Sequence, residues 1–99
     1  MRNTERKKIL LFGSEHCSGC GPAKELLEQK GVKFVYIDIT ADMARLQMFL
    51  KMRDTSESFA PLRGGEKIGI PSLQVNDREY VLESIEHLER LVDELGLVW

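Results

Sequence analysis

Residues 9–31 read ILLFGSEHCSGCGPAKELLEQKG, and this stretch decides the fold that the sequence predicts. It begins with an apolar run, Ile9 to Phe12, whose continuous hydrophobicity is typical of a strand buried on both faces. Two cysteines follow, and the residues from Ala23 to Lys30 are mostly good helix formers, with Gly31 as a C-terminal cap. The stretch therefore predicts a buried strand, a cysteine-bearing turn and an amphipathic helix.

The rest of the chain predicts three more strands and two more helices. The strands cover residues 32–39, 71–75 and 78–82. Asn76-Asp77 is a two-residue hairpin signal between the last two strands. One helix follows a cap at Thr40 or Asp42, and the other runs from a cap at Ser84 to a stop at Gly96.

This order of elements, β-α-β-α-β-β-α, predicts an α/β fold with a four-stranded mixed sheet. The first strand, helix and strand form a βαβ unit, so the first two strands should be parallel with a right-handed crossover. The hairpin adds two strands to the same sheet, and helices on both faces bury it. Residues 53–69 form a connection long enough to be functional or to contain a helical turn. Met43, Met48 and Met52 are interpreted as core residues of the second helix rather than as a binding face.

Length and charge limit the classes of protein to consider. The chain has 99 residues, which fits one domain over 1–99 with a charged tail at 1–7. It contains 14 Lys and Arg against 16 Asp and Glu, and this net charge of −2 argues against a nucleic-acid-binding protein. The charged start precedes too few apolar residues for a secretory signal, and no run approaches the ~18 apolar residues of a membrane span. We therefore expect a cytoplasmic monomer that binds neither nucleic acid nor membrane.

The motif Cys17-Ser18-Gly19-Cys20 carries the predicted chemistry. A disulfide that closes so short a loop removes little entropy from the unfolded chain, so it is a poor structural staple. It is a good redox switch, because the second thiol stays within reach of a mixed disulfide on the first. The orphan N–H groups and the dipole of the following helix favour a thiolate. We therefore expect Cys17 to attack a substrate and the deeper Cys20 to resolve the mixed disulfide.

Two other interpretations of the cysteines stay open, a metal or cluster site and a pair of unreactive cysteines. A structural zinc site needs four ligands, and the chain offers only His16 and His87 as histidines beside the two thiols. An iron–sulfur cluster would need ligands from a second chain or from an outside thiol. The remaining interpretation is a pair of unreactive core cysteines in a redox-inactive adaptor.

Ile70-Pro71 opens the third predicted strand. One interpretation is a proline at a strand start, a place where proline is tolerated. The other is a cis Ile70–Pro71 bond beside the cysteines, since the cis form costs only about 0.5–1 kcal/mol before proline. The backbone of Ile70 would then face the cysteines and could pair with an extended thiol substrate.

Taken together, these features resemble the glutaredoxin branch of the thioredoxin-fold family over about residues 8–96. The resemblance rests on the element order, on the two-cysteine motif after the first strand, and on Ile70-Pro71 before the third. It implies a sheet with strand order 2-1-3-4, in which the third strand is antiparallel to the first. It also implies that Cys17 is the nucleophile, that Cys20 resolves the mixed disulfide, and that Pro71 is cis.

We accordingly expect a thiol–disulfide oxidoreductase that reduces protein or glutathione mixed disulfides. Four residues beside the cysteines are expected to contact the substrate: Ser18, Gly19, Ile70 and Pro71. Arg63 and Lys67 flank glycine backbone and would bind a carboxylate such as that of glutathione, unless the segment is a solvated loop. We expect no metal and no bound cofactor, glutathione as a co-substrate, and a reductase as electron donor. The alternatives are a metal or iron–sulfur cluster carrier and the redox-inactive adaptor.

Overall fold

The order of elements is the predicted one, with one short helix added. The protein is represented by a computed structural model that describes residues 8–62, 68–76 and 78–97. The strands are β1 (Ile9–Gly13), β2 (Val35–Asp38), β3 (Ser72–Val75) and β4 (Arg78–Val81). The helices are α1 (Cys20–Gln29), α2 (Met43–Thr55), a 3₁₀ helix (Glu57–Leu62) and α3 (Ile85–Leu95). The predicted tail at 1–7 and Asp77 of the predicted hairpin lie outside the described residues.

The four strands form one mixed sheet in the order β2-β1-β3-β4, which confirms the predicted topology. β1 pairs with β2 in parallel, and Leu11 lies opposite Tyr36. β1 pairs with β3 in antiparallel fashion, and Leu11 lies opposite Leu73. Because β1 and β3 are neighbouring antiparallel strands, the loop that follows β1 and the loop that precedes β3 meet at the same end of the sheet.

Apolar residues of β1 point alternately to two cores, one on each face of the sheet. Ile9 and Leu11 belong to the core under α1 and α3. Phe12 belongs to the core under α2 and the 3₁₀ helix. In this second core the ring of Phe49 lies 5.9 Å from that of Phe12 and 5.8 Å from that of Phe59. The continuous apolar run of β1 is explained by burial on both faces.

The helix ends follow local capping chemistry. Asp42, rather than Thr40, caps α2, because its carboxylate accepts the Arg45 N–H at 2.8 Å. Ser84 caps α3 by accepting the His87 N–H at 3.0 Å. Gly96 ends α3 with a φ of 61°, in the left-handed region that favours glycine.

The prediction that the methionines of α2 fill the core is wrong for two of the three. Met43 is 66% exposed and Met48 is 47% exposed, whereas Met52 is buried. α2 packs on the sheet through a narrow stripe centred on Phe49 and Met52, and the other two methionines lie outside this stripe. In the described part of the chain, no helix has the length and apolar character that crossing a membrane requires.

Candidate active site

The two cysteines lie where β1 ends and α1 begins. The Cys17 N–H donates to the Ser14 carbonyl at 3.1 Å, and the Cys20 N–H donates to the Cys17 carbonyl at 3.3 Å. These bonds fold the loop into two successive turns, and Cys20 is the first residue of α1. Both thiols are free; Cys17 is partly exposed, and Cys20 has 0% of its surface exposed.

Burial makes Cys20 a very weak acid. It raises the pKa of the Cys20 thiol to about 12, and a hydrogen bond between the two cysteine side chains acts in the same direction. The negative charge of Asp38 also raises this pKa, whereas a bond with the backbone of Ser14 opposes the shift. Cys20 is therefore protonated at neutral pH.

Gly13 makes room for the buried thiol. A methyl group placed on Gly13 would lie 2.9 Å from Cys20 Sγ and 3.1 Å from the hydroxyl oxygen of Tyr36. Burial raises the pKa of the Tyr36 hydroxyl, and the negative charge of Asp38 acts in the same direction. Lys24 Nζ lies 5.0 Å from the centre of the Tyr36 ring, a cation–π contact between α1 and β2. In the sequence, Gly13 directly follows the apolar run of β1 and precedes Cys17 by four residues, and this position alone does not indicate which side chains lie against it.

A chain of hydroxyl groups ties the cysteine loop to the end of β2. The Thr40 hydroxyl donates to Asp38 Oδ1 at 2.6 Å, so the Ser14 hydroxyl, 2.9 Å from Thr40 Oγ1, is the donor in that pair. Ser14 Oγ in turn accepts the His16 N–H at 3.1 Å. The two hydrogen bonds from Thr40 lower the pKa of Asp38. The first half of the cysteine loop is therefore held by the neighbouring strand.

The predicted contact residues surround the exposed thiol. The Ile70–Pro71 peptide bond is cis. A groove of about 1040 Å³ is bordered by Cys17 together with the four predicted contact residues, Ser18, Gly19, Ile70 and Pro71. A methyl group placed on Gly19 would lie 3.7 Å from Pro71 Cδ, so the cysteine loop and the proline segment are in van der Waals reach. Arg63 and Lys67 lie outside the described residues.

The long connection before β3 forms one wall of this groove. The 3₁₀ helix contributes Leu62 to the groove, and Ile68 follows the part of the connection that is not described. The Arg53 guanidinium donates to the carbonyls of Ile68 at 2.9 Å and Leu62 at 2.8 Å, which holds both ends of that gap. Gly69 has a φ of 107°, and a methyl group there would lie 2.7 Å from the Phe59 ring. From the sequence, residues 53–69 were expected either to be functional or to contain a helical turn. The described part of this segment contains the 3₁₀ helix, and it also borders the groove.

Metal binding finds little support in the donor set. Within the described ranges, no three His, Cys, Asp or Glu side chains are grouped so that they could hold one metal ion. His16 lies beside Glu15, with 3.6 Å between His16 Nε2 and Glu15 Oε1, and both side chains are 75% exposed. A metal or cluster at Cys17 and Cys20 would therefore need ligands from another molecule or from residues that are not described.

Comparison with known proteins gives a consistent result. Residues 9–79 match the sequence profile of the glutaredoxin family, named Glutaredoxin. An uncharacterized protein of Haemophilus influenzae is 29% identical over 76 residues, which are 77% of this chain and 88% of that protein. A glutaredoxin from Archaeoglobus fulgidus superposes with a TM-score of 0.62 at 21% identity, covering 93% of this chain and 96% of that one. A buckwheat glutaredoxin in complex with glutathione superposes with a TM-score of 0.61 at 13% identity, covering 94% and 83% of the two chains.

The structural matches establish the shared fold, and the profile covers well over half of the sequence. The resemblance stated from the two motifs and the order of elements is thereby confirmed. The chain belongs to the glutaredoxin family.

Proposed function

We propose that the protein is a thiol–disulfide oxidoreductase in which Cys17 attacks the substrate and Cys20 resolves the mixed disulfide. The observation that carries the proposal is the unequal exposure of two adjacent thiols. Cys17 borders the groove, whereas Cys20 is fully buried. A substrate disulfide can approach only an exposed sulfur, and a pKa of about 12 keeps Cys20 protonated and out of competition for the first attack.

In the proposed reaction, one substrate disulfide is reduced while the two cysteine thiols are oxidised. Cys17, as the thiolate, attacks one sulfur of the substrate disulfide; that S–S bond breaks, a mixed disulfide forms, and the leaving thiolate takes up a proton. Cys20 then loses its proton and attacks Cys17 Sγ, which breaks the mixed disulfide and releases the second substrate thiol. Two electrons and two protons pass to the substrate, and a Cys17–Cys20 disulfide remains. The reaction needs no bound cofactor or metal.

The backbone beside Pro71 supports docking of an extended substrate. Ile70 borders the same groove as Cys17. Its N–H and C=O groups have no hydrogen-bond partner within the described ranges. An extended chain could pair with these groups as an additional strand would, and this pairing would present its disulfide to Cys17.

The proposed substrates are protein disulfides or glutathione mixed disulfides, and the proposed electron donors are glutathione or a reductase. Binding of glutathione by the buckwheat relative supports glutathione as one partner. Both cysteines of the sequence belong to the candidate site, which suits a reducing compartment, and we propose the cytoplasm. We propose that the protein acts there as a monomer.

Two cysteine variants test the roles. We expect Cys17→Ser to abolish disulfide reduction, and we expect Cys20→Ser to accumulate a mixed disulfide with the substrate, detected by mass spectrometry. Ser18→Ala is the matched control, since it alters the same loop and leaves both thiols in place; it should form no trapped adduct. With one equivalent of iodoacetamide, Cys17 should carry the label. Labelling of Cys20 in preference to Cys17 would reverse the assignment.

A further inference from the structure

A second, smaller pocket lies beside the cysteine groove. It measures about 190 Å³ and shares Gly19, Pro71, Leu82 and Glu83 with the groove. Its other walls, where α1 faces α3, are Pro22, Ala23, Ser84, Ile85 and Leu88. We call this the side-chain pocket. Sites for drug-sized ligands measure about 300–1,000 Å³, so the side-chain pocket fits one side chain of a larger molecule.

Three polar groups at the rim of the side-chain pocket take part in hydrogen bonds within the protein. The Glu83 N–H donates to His87 Nδ1 at 3.2 Å, and Ser84 Oγ accepts the His87 N–H at 3.0 Å. The Leu82 N–H donates to the Pro71 carbonyl at 3.0 Å. The N–H groups of Glu83 and Leu82 are therefore not free to bind a carboxylate.

The charge at the rim also disfavours an anion. Glu83 carries the only charged side chain among the described residues that line the side-chain pocket. It is exposed, and no described cation pairs with its carboxylate. A neutral or basic occupant is therefore complementary in charge, and a second carboxylate would be repelled.

We infer that the side-chain pocket receives an apolar side chain of an extended polypeptide, next to the cysteine that Cys17 attacks. This inference rests on the proposed oxidoreductase function and names its substrate class as protein disulfides. Gly19 lies two residues from Cys17, ~7.6 Å at most between Cα atoms. An extended substrate advances ~3.3 Å per residue, so the apolar residue lies about two positions from the substrate cysteine. Glutathione has two carboxylates and no large apolar side chain, and it lacks the group that the pocket accepts.

A single-turnover assay tests the inference without any electron donor. The reduced protein, in excess, is mixed with peptides that carry one cysteine in disulfide linkage to nitrothiobenzoate, whose release is followed by absorbance. The peptides differ in one residue, Leu, Gly or Asp, placed two positions before the cysteine, and the glutathione–nitrothiobenzoate disulfide is the fourth probe. We expect the Leu peptide to react about tenfold faster than the Asp peptide, because its side chain leaves water. Glutathione should react no faster than the Asp peptide.

Variants locate the effect in the side-chain pocket. Ile85→Glu should bring the ratio of the Leu rate to the Asp rate close to one, because it places a carboxylate in the apolar wall. Met43→Glu is the matched control. Met43 is exposed, and it is the first residue of α2 just as Ile85 is the first residue of α3. This control should leave the ratio unchanged. Glu83→Gln should raise the ratio of the Asp rate to the Gly rate about two- to threefold.

The possible outcomes separate the two proposals. Equal rates for the Leu, Gly and Asp peptides, or a fastest rate for glutathione, would overturn the inference and leave the oxidoreductase intact. If wild-type protein and Cys17→Ser release nitrothiobenzoate at the same rate from every probe, the oxidoreductase proposal itself fails. Circular dichroism checks that Ile85→Glu is folded, and Ile85→Ser replaces it if it is not. An Ile85 variant that is folded and keeps the wild-type ratio would also overturn the inference.

Discussion

Replacing Gly13 with alanine tests whether the end of β1 is shaped around the buried thiol. The added methyl group would lie 2.9 Å from Cys20 Sγ, 3.0 Å from Cys20 Cβ and 3.1 Å from Tyr36 Oη. Favourable contacts between carbon atoms lie at about 3.5–4.0 Å, so the neighbouring groups would have to move. Cys20 is fully buried, and its backbone is fixed in the first turn of α1. Overpacking of this kind costs about 1–3 kcal/mol, and we expect Gly13→Ala to lower the free energy of unfolding by that amount.

Urea unfolding followed by circular dichroism measures the effect, and Gly21→Ala is the control. Gly21 is the second residue of α1, and apart from its chain neighbours and the backbone of its own helix, no described heavy atom would lie within 4 Å of a methyl group there. We expect Gly21→Ala to raise the free energy of unfolding by up to about 1 kcal/mol, because alanine has the better helix propensity. The φ of Gly13 is not in the left-handed region, so backbone strain does not contribute to the expected loss. The two substitutions should therefore differ in sign.

A double-mutant cycle identifies the contact that is responsible. Adding Cys20→Ala to Gly13→Ala removes the sulfur atom, which would lie 2.9 Å from the new methyl group. The cost of Gly13→Ala should then fall, with a coupling energy of about 0.5 kcal/mol or more. Tyr36→Phe should produce a smaller coupling, since only the hydroxyl oxygen is removed. If Gly13→Ala is as stable as the wild type, or if its effect simply adds to that of Cys20→Ala, the packing argument is refuted.

Two further predictions concern buried polar groups. The Ser72 hydroxyl is fully buried and has no hydrogen-bond partner among the described residues, so Ser72→Ala should raise the free energy of unfolding by about 1 kcal/mol in urea; a loss of stability would contradict this. Burial raises the pKa of Cys20 from 9.0 to about 12, so the unfolded chain loses this proton first, and the stabilising contribution of the neutral thiol is full below pH 9.0 and declines toward pH 12. The difference in unfolding free energy between wild type and Cys20→Ala should therefore shrink over this range, and a constant difference would count against the assigned burial effect.

Elements whose signals are local were predictable from the sequence. The caps at Ser84 and Gly96 depend on one side chain and one backbone conformation, and both lie where the sequence places them. The parallel pairing of β1 with β2 follows from the βαβ unit, whereas the antiparallel pairing of β1 with β3 was expected only from the family resemblance. The orientation of Met43 and Met48 was not predictable in the same way. A mixed set of apolar residues on α2 permits several faces, and packing of Phe49 selects one of them.

The features of the candidate site also differ in whether they depend on local sequence or on tertiary packing. The spacing of Cys17 and Cys20 and the strand-to-helix turn around them are local features, so the sequence alone indicates the chemistry. The requirement for Gly13 is different, because it is set by the hydroxyl of Tyr36 as well as by Cys20, and that hydroxyl arrives only when β2 pairs with β1. Gly69 likewise owes its lack of a side chain partly to the ring of Phe59, which belongs to the 3₁₀ helix. The space beside Gly13 is therefore filled by a side chain of β2 as well as by one of the motif, and a double-mutant cycle identifies which of the two opposes a larger residue.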